Sequence, residues 1–207
     1  TDYIPFFDHT HPEDSTKKAC DALRRIIARY PKQHAAMLFE LIQGEGGFYP
    51  GIHAFHKSLM EICKENGIAV LADEVQTFAR TSSAFAFQHF NLDEYIDIAW
   101  IGKSTQVCAT LYSADYNPKP GLLSQTFTSS STAIAAGHAI LEIMSQENYF
   151  GASGKIQMLH NHFIENLKSI QTAHPELISG PYGEGLMIAF KPLDGSFENS
   201  LKVLHAL

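Results

Sequence analysis

The chain has 207 residues, 45% hydrophobic and 18% charged, with a formal net charge of −7. That is enough for one sizeable core, or for a large domain with part of another. The acidic balance and the lack of any basic run argue against nucleic acid as a partner. No apolar stretch is long enough for a membrane helix, and Thr1 does not open a signal peptide. Cys20, Cys63 and Cys108 are scattered and odd in number. A disulfide framework is therefore not expected, and a cytoplasmic setting is. The first residues carry no targeting character and the last ones stop inside an amphipathic pattern, so both ends are expected to be cut from a longer chain.

Pro12 to Tyr30 places Ala19, Leu23, Ile26, Ile27 and Tyr30 at helical spacing, with acids early and arginines late, as the helix dipole favours. His34 to Leu41 reads as a short strand running into Glu40. The following QGEGGFYPG is a glycine-rich loop. Ile52 to Asn66 is a predicted helix closed by Gly67 at its C′ position. Ile68 to Gln76 (IAVLADEVQ) then gives an apolar run with no polar alternation, the signature of a strand buried on both faces in a parallel sheet.

Strand, helix and strand make a βαβ unit with a right-handed crossover. Phe78 to Tyr95 is mixed and aromatic-rich. Ile96 to Ile101 and Val107 to Tyr112 are further strands, Asn117 to Ser131 is loop, and Ala133 to Ser145 and Lys155 to Ile170 are helices. Gly185 to Phe190 is a strand beyond a Gly/Pro turn. The expected fold is α/β, a mostly parallel sheet with helices on both faces. Residues 1–146 would form part of a large domain and 147–207 the start of a small α+β domain.

In open α/β sheets the ligand crevice lies outside the carboxyl ends of the strands. Asp73 and Glu74 fall at one such end and Lys103 at another. A charge there is costly unless a cation meets it, although a carboxylate at a strand end can equally serve to cap the next turn. A lysine there can hold an anion or serve as a nucleophilic amine. Gly102-Lys103-Ser104 does not make a phosphate loop, because the first glycine of that motif would fall on Asp97. His53, His56 and Cys63 share one predicted helix, but their spacing is not that of a zinc site, and no metal is expected.

Four blocks in register then carry a resemblance: FELIQGEGG (39–47), ADEVQTFART (72–81), IGKSTQVC (101–108) and SQTFTSSSTA (124–133). Their order and gaps, 30 residues from Asp73 to Lys103 and 23 from Lys103 to Thr126, resemble class III, or ω-type, pyridoxal-phosphate aminotransferases. The third block is most similar to lysine 6-aminotransferase-like members. The resemblance implies the large domain of the PLP-dependent transferase fold, in part. It also implies transfer of an amino group between an amine or amino acid, possibly at an ω-position, and a 2-oxo acid, by a two-stage route.

By the same resemblance Lys103 would form the Schiff base with the cofactor aldehyde and shuttle the substrate proton, and Asp73 would face the pyridine nitrogen. Val75 would pack on the ring and Gln76 would bind the ring hydroxyl. Thr126 would reach the phosphate of a neighbouring subunit, implying a homodimer with shared sites. Glu40 and Glu45 would stand at the substrate end.

Three departures stand out. Leu41 replaces a proline, a glycine is missing after Thr77, and TSSS replaces a glycine-rich run after Phe127. The family's N-terminal half, with much of the phosphate cradle, and its C-terminal arginine have no counterpart here. The 207 residues by themselves are therefore expected to hold the cofactor poorly and to be inactive. Two alternatives stay open at this point: another reaction on the same scaffold, an aminomutase or a decarboxylase, or a fragment with no catalysis of its own.

Overall fold

The computed structural model describes residues 1–124, 126 and 130–206. The chain opens with α1 (Pro12–Arg29), β1 (Ala36–Phe39), a small hairpin of β2 (Ile42–Gln43) and β3 (Tyr49–Pro50), and α2 (His53–Glu65). It continues through β4 (Ala69–Glu74), the short α3 (Ala86–His89), β5 (Ile98–Ile101) and β6 (Ala109–Tyr112). The last third holds α4 (Ser131–Gln146), α5 (Lys155–Ala173), the hairpin β7 (Ile178–Glu184) and β8 (Met187–Pro192), and α6 (Phe197–Ala206).

Strands β1, β4 and β5 run parallel, with Phe39 level with Ala72 and Asp73 level with Trp100. Strand β6 returns antiparallel beside β5. The central strand β4 is almost wholly covered, as its unbroken apolar run requires. On its buried side Val70, Ala72 and Glu74 are at 0% exposure, and Val70 shares one core with Leu59, Met60 and Cys63 of α2 and Ala19 and Leu23 of α1. Gly67 has φ +65, the left-handed stop that its place after α2 predicted. Asp97, the residue that rules out a phosphate loop, ties β4 to the start of β5. It accepts the Val70 N–H at 2.8 Å and the Lys64 ammonium at 2.7 Å.

Two stretches differ from their sequence reading. The loop QGEGGFYPG contains the β2–β3 pair, Ile42 opposite Pro50 and Gln43 opposite Tyr49. Strand β7 was hidden by its own composition: Ile178–Glu184 (ISGPYGE) carries two glycines and a proline, residues that ordinarily break strands. It pairs nonetheless, through an irregularity between Ser179 and Tyr182 that absorbs them.

His56 is completely buried on α2 among the rings of Phe6, Phe39, Phe55 and Phe90, with centroids 5.3–6.3 Å away. Its Nε2 donates to the Leu41 carbonyl at 3.2 Å, and its Nδ1 has no partner among the described residues. Burial lowers its pKa from 6.5 to about 4, against a smaller opposing effect of the Leu41 carbonyl. The fold therefore favours the neutral ring. The stability this gives is complete above pH 6.5 and is lost as pH falls from 6.5 through about 4, about 3 kcal/mol in all. Glu74, whose pKa burial raises, contributes with the opposite sign. Denaturant titrations of the wild type and of His56→Gln across this range should differ by a slope of that sign. Parallel curves would show that His56 is not the group responsible.

Candidate active site

The parallel register decides which residues meet. Because Phe39 is level with Ala72 and Glu74 with Ile101, the residues that follow leave the sheet at one edge. Glu40, Asp73 to Gln76, and Gly102-Lys103 are therefore neighbours there, as the ends of buried parallel strands should be.

Asp73 and Glu74 point to opposite sides of β4, because successive side chains alternate in a strand. The half-buried Asp73 keeps one hydrogen bond, from the Val75 N–H at 3.0 Å. No ion pair reaches it among the described residues. Glu74 turns inward to 0% exposure and is met by neutral donors of the segment that follows, the capping use of a strand-end carboxylate and not the pairing with a cation. These donors are the Thr77 hydroxyl and the amides of Ala86 and Phe87, the latter two at 3.0 Å. Burial pushes its carboxyl pKa up and the three donors pull it back.

Gln76, Glu45 and Glu40 form a connected group. Gln76 Nε2 donates to Glu45 Oε1 at 2.8 Å, and the Gly44 N–H donates to Glu40 Oε2 at 2.8 Å. The Gln76 amide lies directly over Gly44, where an added Cβ would stand 2.4 Å from Oε1. Glu40 thus holds the loop and Glu45 holds Gln76. The Arg80 guanidinium binds the Gln76 carbonyl at 2.6 Å, and the Arg80 carbonyl receives the Leu186 N–H at 2.7 Å, seating the β7–β8 turn on this loop. Arg80 did not stand out as part of this cluster in the sequence, since nothing in its spacing shows what it faces.

Lys103 opens a single 3₁₀ turn, Lys103–Thr105, with a left-handed backbone at φ +50. Such a conformation costs a non-glycine residue about 1–2 kcal/mol and tends to gather at functional sites. The lysine is exposed, and its amine has no hydrogen bond or ion pair among the described residues. Val75 reaches this turn: a Cβ built on Gly102 would lie 3.4 Å from Val75 Cγ1 and 3.2 Å from Cys108 Sγ. From the other side Gly137 of α4 presses on the turn, since an added Cβ would stand 2.8 Å from the Thr105 carbonyl. Thr126 is exposed, on a bend ahead of α4. The end of the sheet thus offers an uncommitted amine and a carboxylate with open acceptor positions, flanked by Val75 and Gln76. Among the described residues no cluster of His, Cys, Asp and Glu could hold a metal.

The fold of this chain is shared with solved aminotransferases. A lysine aminotransferase from M. tuberculosis superposes with a TM-score of 0.81 and 27% identity, over 92% of this chain and 44% of that one. The acetylornithine aminotransferase 1 of Bradyrhizobium diazoefficiens is 34% identical over 176 residues, 83% of this chain and 42% of the relative. The 5-aminovalerate aminotransferase of Pseudomonas aeruginosa is 31% identical over 192 residues, 90% of this chain and 44% of the relative. Residues 3–206 match the family model of aminotransferase class III. The chain belongs to the class-III aminotransferase family. It spans about two fifths of the length of the curated relatives it matches.

Gly44→Ala should push the Gln76 amide aside, because the obstructed group is the mobile end of a side chain. The Gln76 side-chain NH2 resonances should move towards solvent values while unfolding shifts by less than about 1 kcal/mol. Unchanged resonances would show that the Gly44–Gln76 contact does not set the side chain's place.

Proposed function

We propose that this chain is the lysine-bearing part of a pyridoxal-phosphate-dependent aminotransferase, which moves an amino group between an amine or amino acid and a 2-oxo acid. The observation that carries this reading is the pairing, on adjoining parallel strands, of an unengaged Lys103 amine with an Asp73 carboxylate that retains free acceptor positions. This donor set fits pyridoxal phosphate, which presents an aldehyde, a basic ring nitrogen and a ring hydroxyl. Val75 would lie along the ring, and Gln76 would turn to the hydroxyl the second N–H that Glu45 leaves unused. Thr126 would serve the phosphate of a second copy, in a homodimer with shared sites.

When bound, pyridoxal phosphate supplies an aldehyde that carries the amino group and a ring that accepts the electron pair left when the substrate's C–H bond breaks. Lys103 Nζ would be the group that takes up that proton and returns it later. The Asp73 carboxylate would hold a proton on the ring nitrogen, since a carboxylate within about 4–6 Å raises such a pKa by about 1–3 units. Glu40 and Glu45 border the side from which substrate enters. A donor with a second ammonium group would suit them. The three unpaired thiols, two of them buried, agree with a reducing cytoplasm. Among the described residues no helix is long and apolar enough to cross a membrane.

Borohydride treatment of the full-length protein with pyridoxal phosphate, followed by peptide mapping, should place the label on Lys103. A label on Lys57, Lys64 or Lys119 would sink the assignment. Asp73→Asn should leave the fold intact and lower turnover by about 10- to 1000-fold, the range set by 1–3 pKa units at the ring nitrogen. Near-normal turnover would remove Asp73 from the reaction.

A further inference from the structure

We propose that Glu74 is a positioning residue for Gln76, a role that rests on the functional reading above. The strand places Glu74 with its back to the site, between Asp73 and Val75, at 0% exposure. Its carboxylate gathers three donors from two parts of the following segment. Oε2 receives the Thr77 hydroxyl and the Ala86 N–H, and Oε1 receives the Phe87 N–H. The segment from Thr77 to Phe87 is thereby tied at both ends to one side chain on the central strand.

That tie leads to the site in short steps. The Phe78 N–H donates to the Glu74 carbonyl at 2.9 Å, and the Arg80 N–H to the Thr77 carbonyl at 3.0 Å. These bonds close the turn that lets the Arg80 guanidinium grip the Gln76 carbonyl at 2.6 Å. With its main chain held so, the Gln76 side chain lies across Gly44 and meets Glu45 at 2.8 Å. Glu74 touches neither substrate nor cofactor in this arrangement. It acts by fixing the turn that carries the residue that does.

The donor count also explains why a carboxylate stands here. An ionised carboxylate only accepts, and all three partners can donate. Glutamine has nearly the same shape but brings its own N–H2. With that nitrogen at the Oε2 position the Ala86 N–H faces a donor. With it at the Oε1 position the Phe87 N–H does. Either way one buried backbone amide loses its acceptor, the costly outcome for such a group.

The test uses backbone hydrogen exchange and the Gln76 side-chain NH2 resonances, read on the chain as it stands, without cofactor. Glu74→Gln should speed exchange at Ala86 and Phe87 and across Gln76 to Arg80 by about tenfold or more. It should also shift the Gln76 NH2 resonances towards solvent values, with exchange in β1 and α2 unchanged. Thr77→Ser, which keeps the hydroxyl, should match the wild type, and Thr77→Val should reproduce the Gln76 shift in part. Faster exchange confined to Ala86 and Phe87, with Gln76 unmoved, would reduce Glu74 to an anchor of α3 and overturn the proposal. If Glu74→Gln does not fold, Thr77→Val decides: intact strands with an unmoved Gln76 overturn it equally. In the full-length protein Glu74→Gln should weaken pyridoxal phosphate binding while Lys103 still takes the borohydride label. A wild-type full-length protein that takes up no pyridoxal phosphate would instead fail the functional reading and leave the exchange result standing.

Discussion

Parallel pairing of β1, β4 and β5 is the constraint from which the rest of the site follows. Parallel strands bring equivalent ends together, so whatever follows each strand emerges at one edge. Here that edge receives Glu40, the Asp73–Gln76 run and Lys103 from three separated stretches of chain. A slip of one residue in β4 would exchange the sides of Asp73 and Glu74. The open carboxylate would then be buried and the buried one exposed. Register is held against such a slip by Asp97, which binds both the Val70 amide and Lys64.

The two adjacent carboxylates show how the same chemical group is turned to different ends by its surroundings. Asp73 keeps unpaired acceptor positions and is half exposed, so its charge is available to a ligand. Glu74 has its acceptors filled and water excluded, so its charge is spent on its own chain. Burial disfavours an ion and holds the Glu74 pKa above its usual range, and the converging donors oppose that shift only in part. The lysine turn is built on similar lines, wedged between Val75 on one side and α4 on the other.

Much of this could be read from the residues. The unbroken run of β4 announced a central buried strand, the apolar spacing of α1 and α2 announced their inner faces, and Gly67 marked the end of α2. The spacing of Asp73 and Lys103 placed both at strand ends. Strand β7 was not legible because its glycines and proline obscure an extended segment that is held by pairing with β8 and not by propensity. That a strand-end carboxylate could cap the following turn was legible, but the partners of Glu74 were not, since they lie up to 13 residues away along the chain. A strand alone says that neighbours face opposite ways, and only the sheet's packing says which way is in. The hairpin β2–β3 was too short for any alternating pattern to register.

The backbone at Lys103 sets folding at odds with the chemistry proposed for its amine. At φ +50 the chain occupies a region where a glycine rests without strain and a side chain does not. Folding alone would therefore favour losing the amine, by an amount comparable to many stabilising substitutions. A search of sequence space guided only by thermostability would drift away from lysine at this position and return a sturdier protein without the amine on which the proposed reaction depends. Design on this scaffold must hold the residue fixed by decree and recover the lost stability elsewhere, on surfaces remote from the sheet edge.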